Sequence, residues 1–271
     1  MIAALRSEML KLTSVRLWWI LLLILVVYVA FTAALVAGIF GAISDQTATP
    51  GAPALPADLL PPIVYSSVTA VGYAFPLILG ALAVTSEFRY QTVTPTFLAQ
   101  PRRGVVLGAK AVVLAVAGAL YGVAGLVASI GLGAPILGAF GIETGLGDQE
   151  TWLLAARAVL AMALWATIGV GLGTLIPNQV ASIVVVLAFT QFVEPILRFG
   201  TSFIDWTAEV GKFLPGAASD ALVGASVFTS LGGTSTGTEP LEWWQGGLVL
   251  AAYAVVIAVA GSLTTWRKDV S

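Results

Sequence analysis

From Leu17 to Ser44 the chain runs for 28 residues without a charge. Crossing the hydrocarbon core takes about 20 apolar residues. Backbone groups in lipid must bond within their own segment, so such a run folds as a helix. Basic Arg6, Lys11 and Arg16 precede it. It is far longer than the about 7–15 apolar residues of a cleaved signal, and reads as a first span that stays in the mature protein. Five more candidate spans follow, at Ile63–Val84, Val106–Leu132, Trp152–Ile176, Val180–Phe199 and Gly246–Thr264, with the first span ending near Phe40. The expectation is an all-α integral membrane protein, one transmembrane domain over residues 1–271, with six transmembrane helices.

Composition agrees. Charged residues are 10% of the chain, hydrophobic residues 58%, and mean hydropathy is +0.97. A soluble domain carries about 25% charged residues. The net charge of −2 argues against a nucleic-acid partner, which wants a basic face. With no Cys and no His, disulfides, thiol nucleophiles, imidazole bases and the usual zinc ligands are excluded. No catalytic residue and no metal site is expected.

Basic residues set the orientation. With the N-terminus inside, Arg6, Lys11, Arg16, Arg89, Arg102, Arg103, Lys110, Arg267 and Lys268 lie inside, and only Arg157, Arg198 and Lys212 lie outside. Both termini are therefore expected in the cytoplasm. Trp18, Trp19, Trp152, Trp244 and Trp266 fall at span ends, as interfacial anchors do, while Trp165 reads as lipid-facing volume. Gly118 and Gly122 of span three, and Gly169, Gly171 and Gly173 of span four, suit close helix packing.

Residues 1–16 place Ile2, Leu5, Met9 and Leu12 on one flank and Arg6, Glu8 and Lys11 on the other. Two readings stand: an interfacial helix on the inner leaflet, or the charged start of span one. The outer segment 200–245 carries Phe203, Trp206, Val210 and Phe213 at the spacing of a short amphipathic helix. Two further runs follow there: "FLPGAASDALVGASVF", too short to span, and a flexible "LGGTSTGTEP".

Between spans two and three lies a polar, aromatic and basic island, residues 85–105, "TSEFRYQTVTPTFLAQPRRGV". Pro95 and Pro101 punctuate it, leaving room for a short helix with turns. Arg102, Arg103 and Lys110 alone could simply fix topology; the aromatics Phe88, Tyr90 and Phe97 are not needed for that. Aromatics with Arg are the residues enriched at protein interfaces, so the island reads as a cytoplasmic docking surface.

The pattern Glu87, Thr92, Pro101, Arg103 and Lys110 (E-x-x-x-x-T…P-x-R…K) resembles the membrane subunits of ABC-2 type transporters. So do "LRSEMLKLTSVRLWW", "LIPNQVASIVVVLAFTQFVEPIL" and "FLPGAASDAL", and their order covers the chain nearly end to end. One departure is Gln91, where relatives often have Gly. The resemblance implies a half-transporter, of the type V exporter kind, in a bacterial inner membrane. Two permease chains, as a homodimer or heterodimer, would sit on two copies of a cytosolic ATPase. The coupling segment would include Glu87, Phe88, Arg89, Tyr90, Thr92, Phe97, Pro101, Arg102 and Arg103. An N-terminal helix bearing Arg6, Lys11 and Arg16 would brace it. The cargo would be amphiphilic: a drug, peptide, natural product or lipid.

A P-loop needs GxxxxGK[ST], and the nearest text, "GVVLGAK" from Gly104 to Lys110, lacks both the Gly-Lys step and the Ser/Thr. ATP and Mg are thus expected on the partner, with no cofactor on this chain.

Arg157 and Glu194 fall within the outer halves of spans four and five, and Arg198 is the i+4 neighbour of Glu194. Intramembrane charges are functional candidates by default, yet buried charges are usually paired. The favoured expectation is a charge pair of Glu194 with Arg157 or Arg198; a substrate-ligand role stays open. Tyr73, Thr190 and Gln191 are weaker candidates for lining a path. The competing reading is an ion-coupled secondary transporter, which wants carboxylates or broken helices at the midplane. A membrane enzyme is least favoured, because the acidic residues are scattered.

Overall fold

The structure, a computed structural model, describes residues 1–46, 56–201, 209–225 and 241–266. The expected amphipathic turn at Phe203 and Trp206, the "LGGTSTGTEP" stretch, Arg267 and Lys268 lie outside the described residues.

Among the described residues every regular element is helical, and five helices are long and apolar enough to cross a membrane. The chain is thus a membrane-embedded, multi-pass all-α protein. In order, α1 is Ile2–Ser14, α2 Leu17–Gln46, α3 Leu60–Tyr65, α4 Ser67–Ala70, α5 Ala74–Arg89, α6 Val93–Ala99 and α7 Arg103–Ala139. Then come α8 Gln149–Leu175, α9 Gln179–Ala188, a π-helical turn Phe189–Val193 and α10 Glu194–Thr201. Last are α11 Pro215–Val223 and α12 Trp243–Gly261, which ends in a second π turn, Ser262–Trp266. The Asn178 side chain accepts from Ala181 N (3.1 Å) and caps α9 after the tight Ile176–Asn178 turn.

The expected second span, Ile63–Val84, is not one helix. It is three, α3, α4 and α5, broken at Ser66 and again at Val71–Tyr73. Pro76 explains the second break. A proline inside a continuous helix would lack the donor for the carbonyl four residues back. Starting α5 at Ala74 puts Pro76 in the first turn, where no intrahelical donor is required, and Phe75 N takes the Gly72 carbonyl at 3.1 Å. Irregular backbone at membrane depth survives only when protein encloses it. Leu60, Val64, Tyr65, Ser66, Ser67, Val68 and Thr69 are accordingly all buried.

Helix α8 is the centre, packed on α5, α7 and α12. Apolar tails solvate apolar side chains as well as protein does, so small residues must bring helices together in lipid. At α5–α8, a Cβ on Gly80 would fall 2.8 Å from Val170 N, and one on Gly169 would fall 2.9 Å from the Leu77 carbonyl carbon. At α7–α8, a Cβ on Gly118 would come 3.0 Å from Ala163 Cα, and one on Gly122 3.0 Å from Val159 Cα. Gly171 approaches α12 in the same way, 2.9 Å from Ala258 N. Trp165 is not lipid-facing as the sequence suggested. It is buried, with Nε1 donating to Ser219 Oγ at 3.1 Å, because α11 folds back over that face of α8. Helix α2 packs chiefly on α7 and leaves Leu23, Val27 and Phe31 exposed, as a lipid-facing span does.

Candidate functional site: a charged knot beside a short exposed helix

Helix α1 is separate from α2, broken by Val15 in an extended conformation. Its inward face is not the one the spacing suggested. Leu5 and Leu12 pack on the core while Ile2 and Met9 are exposed. Glu8, expected on the polar flank, lies between Leu5 and Leu12 and is buried, because two ammonium groups meet it there.

Those groups are Lys11 and Lys110. Lys11 Nζ lies 2.7 Å from Glu8 Oε1 and 2.8 Å from Glu87 Oε1. Lys110 Nζ contacts Glu8 Oε2 and stands 3.0 Å from Glu87 Oε1. Each carboxylate therefore sits between two cations, and the knot is neutral. Lys110 also donates to the Ala83 carbonyl (3.2 Å) and Lys11 to Thr96 Oγ1 (3.3 Å). Burial pushes the Glu8 carboxyl up, but the charges and hydrogen bonds of Lys110 and Lys11 outweigh it and hold Glu8 below its ordinary 4.5. Burial likewise pushes Lys11 down, and Glu8 and Glu87 outweigh that, leaving it above its ordinary 10.5. The knot ties α1 to the last turn of α5, the second turn of α7 and the side of α6.

Helix α5 ends in a Schellman motif, with Thr92 N bonding the Glu87 carbonyl (2.9 Å) and Gln91 N bonding that of Phe88 (3.3 Å). The residue between must be left-handed, and Gln91 has φ of 55°. A Cβ there is strained, and Gly is relaxed. Gln91→Gly is expected to be neutral to stabilising by up to about 1 kcal/mol, and Gln91→Val destabilising, as thermal melts in detergent would report.

Helix α6 follows. Phe88 and Phe97 turn inward onto the core, and the Arg103 guanidinium stacks 4.8 Å over the Phe97 ring. The outward residues are Tyr90, 69% exposed, and Leu98, 79% exposed, beside exposed Thr92, Pro101 and Arg102. Arg89 bonds Gln179 Oε1 (3.0 Å), linking this edge to the start of α9. Arg6 and Arg16 are exposed on α1 and its exit.

At the other end one of the two partners expected for Glu194, Arg157, is corrected, while Arg198 stays close enough to act on the carboxylate electrostatically. Glu194 is not held by Arg157; its Oε1 accepts the backbone N–H of Gly216. Helix α11 starts with Pro215 at its first position and has no side-chain cap of its own, so Glu194 caps its free, buried donors across space. Arg198, one turn along α10, pairs with Asp220 (2.5 Å), one turn along α11. The two helices are clasped at both rungs. Arg157 lies 4.9 Å over the Trp243 ring instead.

Of the three path candidates, Tyr73 and Thr190 are buried and joined, Tyr73 Oη to the Thr190 carbonyl at 3.0 Å, while Gln191 is exposed and reaches only Thr190 Oγ1, at 3.4 Å. Among the described residues no three acidic side chains gather in a way that would hold a metal ion.

Sequence reasoning missed Glu8, Leu98, Gly216 and Asp220. Glu8 carried a usable signal, its i, i+3 spacing to Lys11. Nothing local marks Gly216 and Asp220, whose partners come from α10, or Leu98, the outward position of α6. No protein-family model matches the chain, and no curated protein matches it in sequence.

Proposed function

We propose that the chain is the membrane-spanning subunit of an ATP-driven exporter of amphiphilic cargo in a bacterial inner membrane, moved by a separate cytosolic ATPase seated on α6. The observation that carries this reading is the braced edge: exposed Tyr90 at the end of α5 and exposed Leu98 on α6, beside a largely buried four-charge knot that joins α1, α5 and α7 and meets α6 through Thr96. A surface meant to transmit force must not yield locally. A push on α6 would pass from Thr96 to Lys11 and through it to Glu87 of α5 and, by way of Glu87, to Lys110 of α7. In this reading α3–α5 crosses as a broken span, giving six crossings, both termini in the cytoplasm and two permease chains per transporter.

The combined variant Tyr90→Ser, Leu98→Ser, Arg102→Glu should lose ATPase co-purification while membrane insertion is unchanged. Co-purification at the wild-type level would count against the proposal.

A second reading has two observations behind it. The broken α3–α5 segment and buried Glu194 beyond a π-helical turn are features of ion-coupled secondary transporters. Proteoliposomes of this chain alone separate the two: gradient-driven uptake without ATPase would favour the second.

A further inference from the structure

Helices α9 and α12 do not pack tightly on each other; α9 leans on α5, and α12 on α8 and α11. Between them lies an apolar cavity of about 200 Å³. Leu77 and Trp165 form its floor, Val185 and Phe189 one wall, Tyr253 and Ile257 the other, and Pro215 closes an end. The polar side chains of its lining each donate to a partner. Thr190 Oγ1 donates to the Val186 carbonyl (2.8 Å), Trp165 Nε1 to Ser219, and Tyr253 Oη to the Phe213 carbonyl (3.1 Å). The lining offers a water no free donor and only hydroxyl oxygens that already donate elsewhere, too few of the two to four partners it needs, so the cavity favours an apolar occupant. Left empty, the lining would lose its dispersion contacts on one side. Val185 is 44% exposed, and its neighbours Val184 and Leu187 are exposed too, so the cavity borders the lipid-facing side of α9.

The geometry points to a binding site for the hydrocarbon tail of a bilayer lipid, inserted sideways between α9 and α12 with its headgroup left outside. The absence of any free donor among the lining side chains, with nine of the eleven lining residues carrying no hydroxyl, selects a ligand that is apolar along its inserted length. Drugs and peptides carry polar groups that would go unpaired there. This inference stands on the membrane-embedded fold alone and holds whichever transporter reading is correct.

Photolabelling tests it. The full chain is placed in nanodiscs of phosphatidylcholine carrying a diazirine on one acyl chain, irradiated, and mapped by peptide mass spectrometry. Trp165 is 2% exposed and out of reach of lipid on the outer surface, whereas Phe31 of α2 is 60% exposed. Label is expected on both. Val186→Trp, which fills the cavity, should lose the label at Trp165 and keep it at Phe31. Leu77→Phe serves the same purpose should that variant fail to fold. Label on Phe31 with none on Trp165 in the wild type overturns the proposal and indicates a closed gap or one filled by protein. Label on Trp165 that survives filling overturns it as well.

Discussion

Lys110→Met is expected to lower stability by about 3–5 kcal/mol, because it leaves two buried carboxylates sharing one cation. Lys110 is 1% exposed and bonds both Glu8 and Glu87. Once it is gone, Lys11, which is partly exposed, must serve both carboxylates alone. Thermal unfolding in detergent should show a large drop, and α1 should become protease-sensitive before the rest. Adding Glu8→Gln should recover part of the loss, since it removes the charge left without compensation. A single variant that melts like the wild type would mean the knot contributes nothing. The pH dependence has a definite sign. Glu8 is depressed in the folded protein, so its contribution is present above 4.5 and is lost as pH falls through its lower folded value. Lys11 is raised, so its contribution is present below 10.5 and is lost as pH climbs through its higher folded value. The knot should be steady from mildly acid to mildly alkaline pH and should loosen beyond both ends.

Glu194→Leu should cost about 2–3 kcal/mol by stripping the cap from α11 and leaving its first donors buried without an acceptor. Glu194→Gln keeps an oxygen in place and should cost less, about 1 kcal/mol. Gly216→Ala should resemble the Leu variant, because its Cβ would fall 2.8 Å from the Glu194 carboxyl carbon. Yield of folded protein and protease sensitivity at Pro215–Val223 would report all three. The structural role also predicts that Glu194→Gln lowers yield more than it alters cargo choice. An altered cargo profile at full yield would make Glu194 a ligand.

Three of the five long helices were legible with their ends within a few residues, because uninterrupted apolar length is a local property. Helices α2 and α7 run past the expected Phe40 and Leu132, to Gln46 and Ala139. The second expected span failed for a reason that hydropathy does not encode: Ser66, Gly72 and Pro76 break the helix without making it polar. The glycines of α7 and α8 were read correctly as packing residues, since close approach needs only small size. The site was half legible. Glu87, Lys11 and Lys110 stood out as charges beside apolar runs, but their convergence depends on α1 folding back beside α5 and α7. Of the two partners expected for Glu194, Arg157 failed because a helix terminus, invisible in side-chain spacing, takes the carboxylate, while Arg198 stays near it but bonds Asp220. Phe97, expected on the docking surface, instead anchors it under Arg103, and Leu98 takes the outward place.

The chain has no cysteine, so Leu98→Cys gives a unique thiol at the outermost point of α6. In sealed cells the account predicts no reaction with a membrane-impermeant maleimide. In inverted vesicles it predicts ready reaction, and a bifunctional crosslinker should join that thiol to a P-loop ATPase. Labelling of Leu98→Cys from outside intact cells would contradict it.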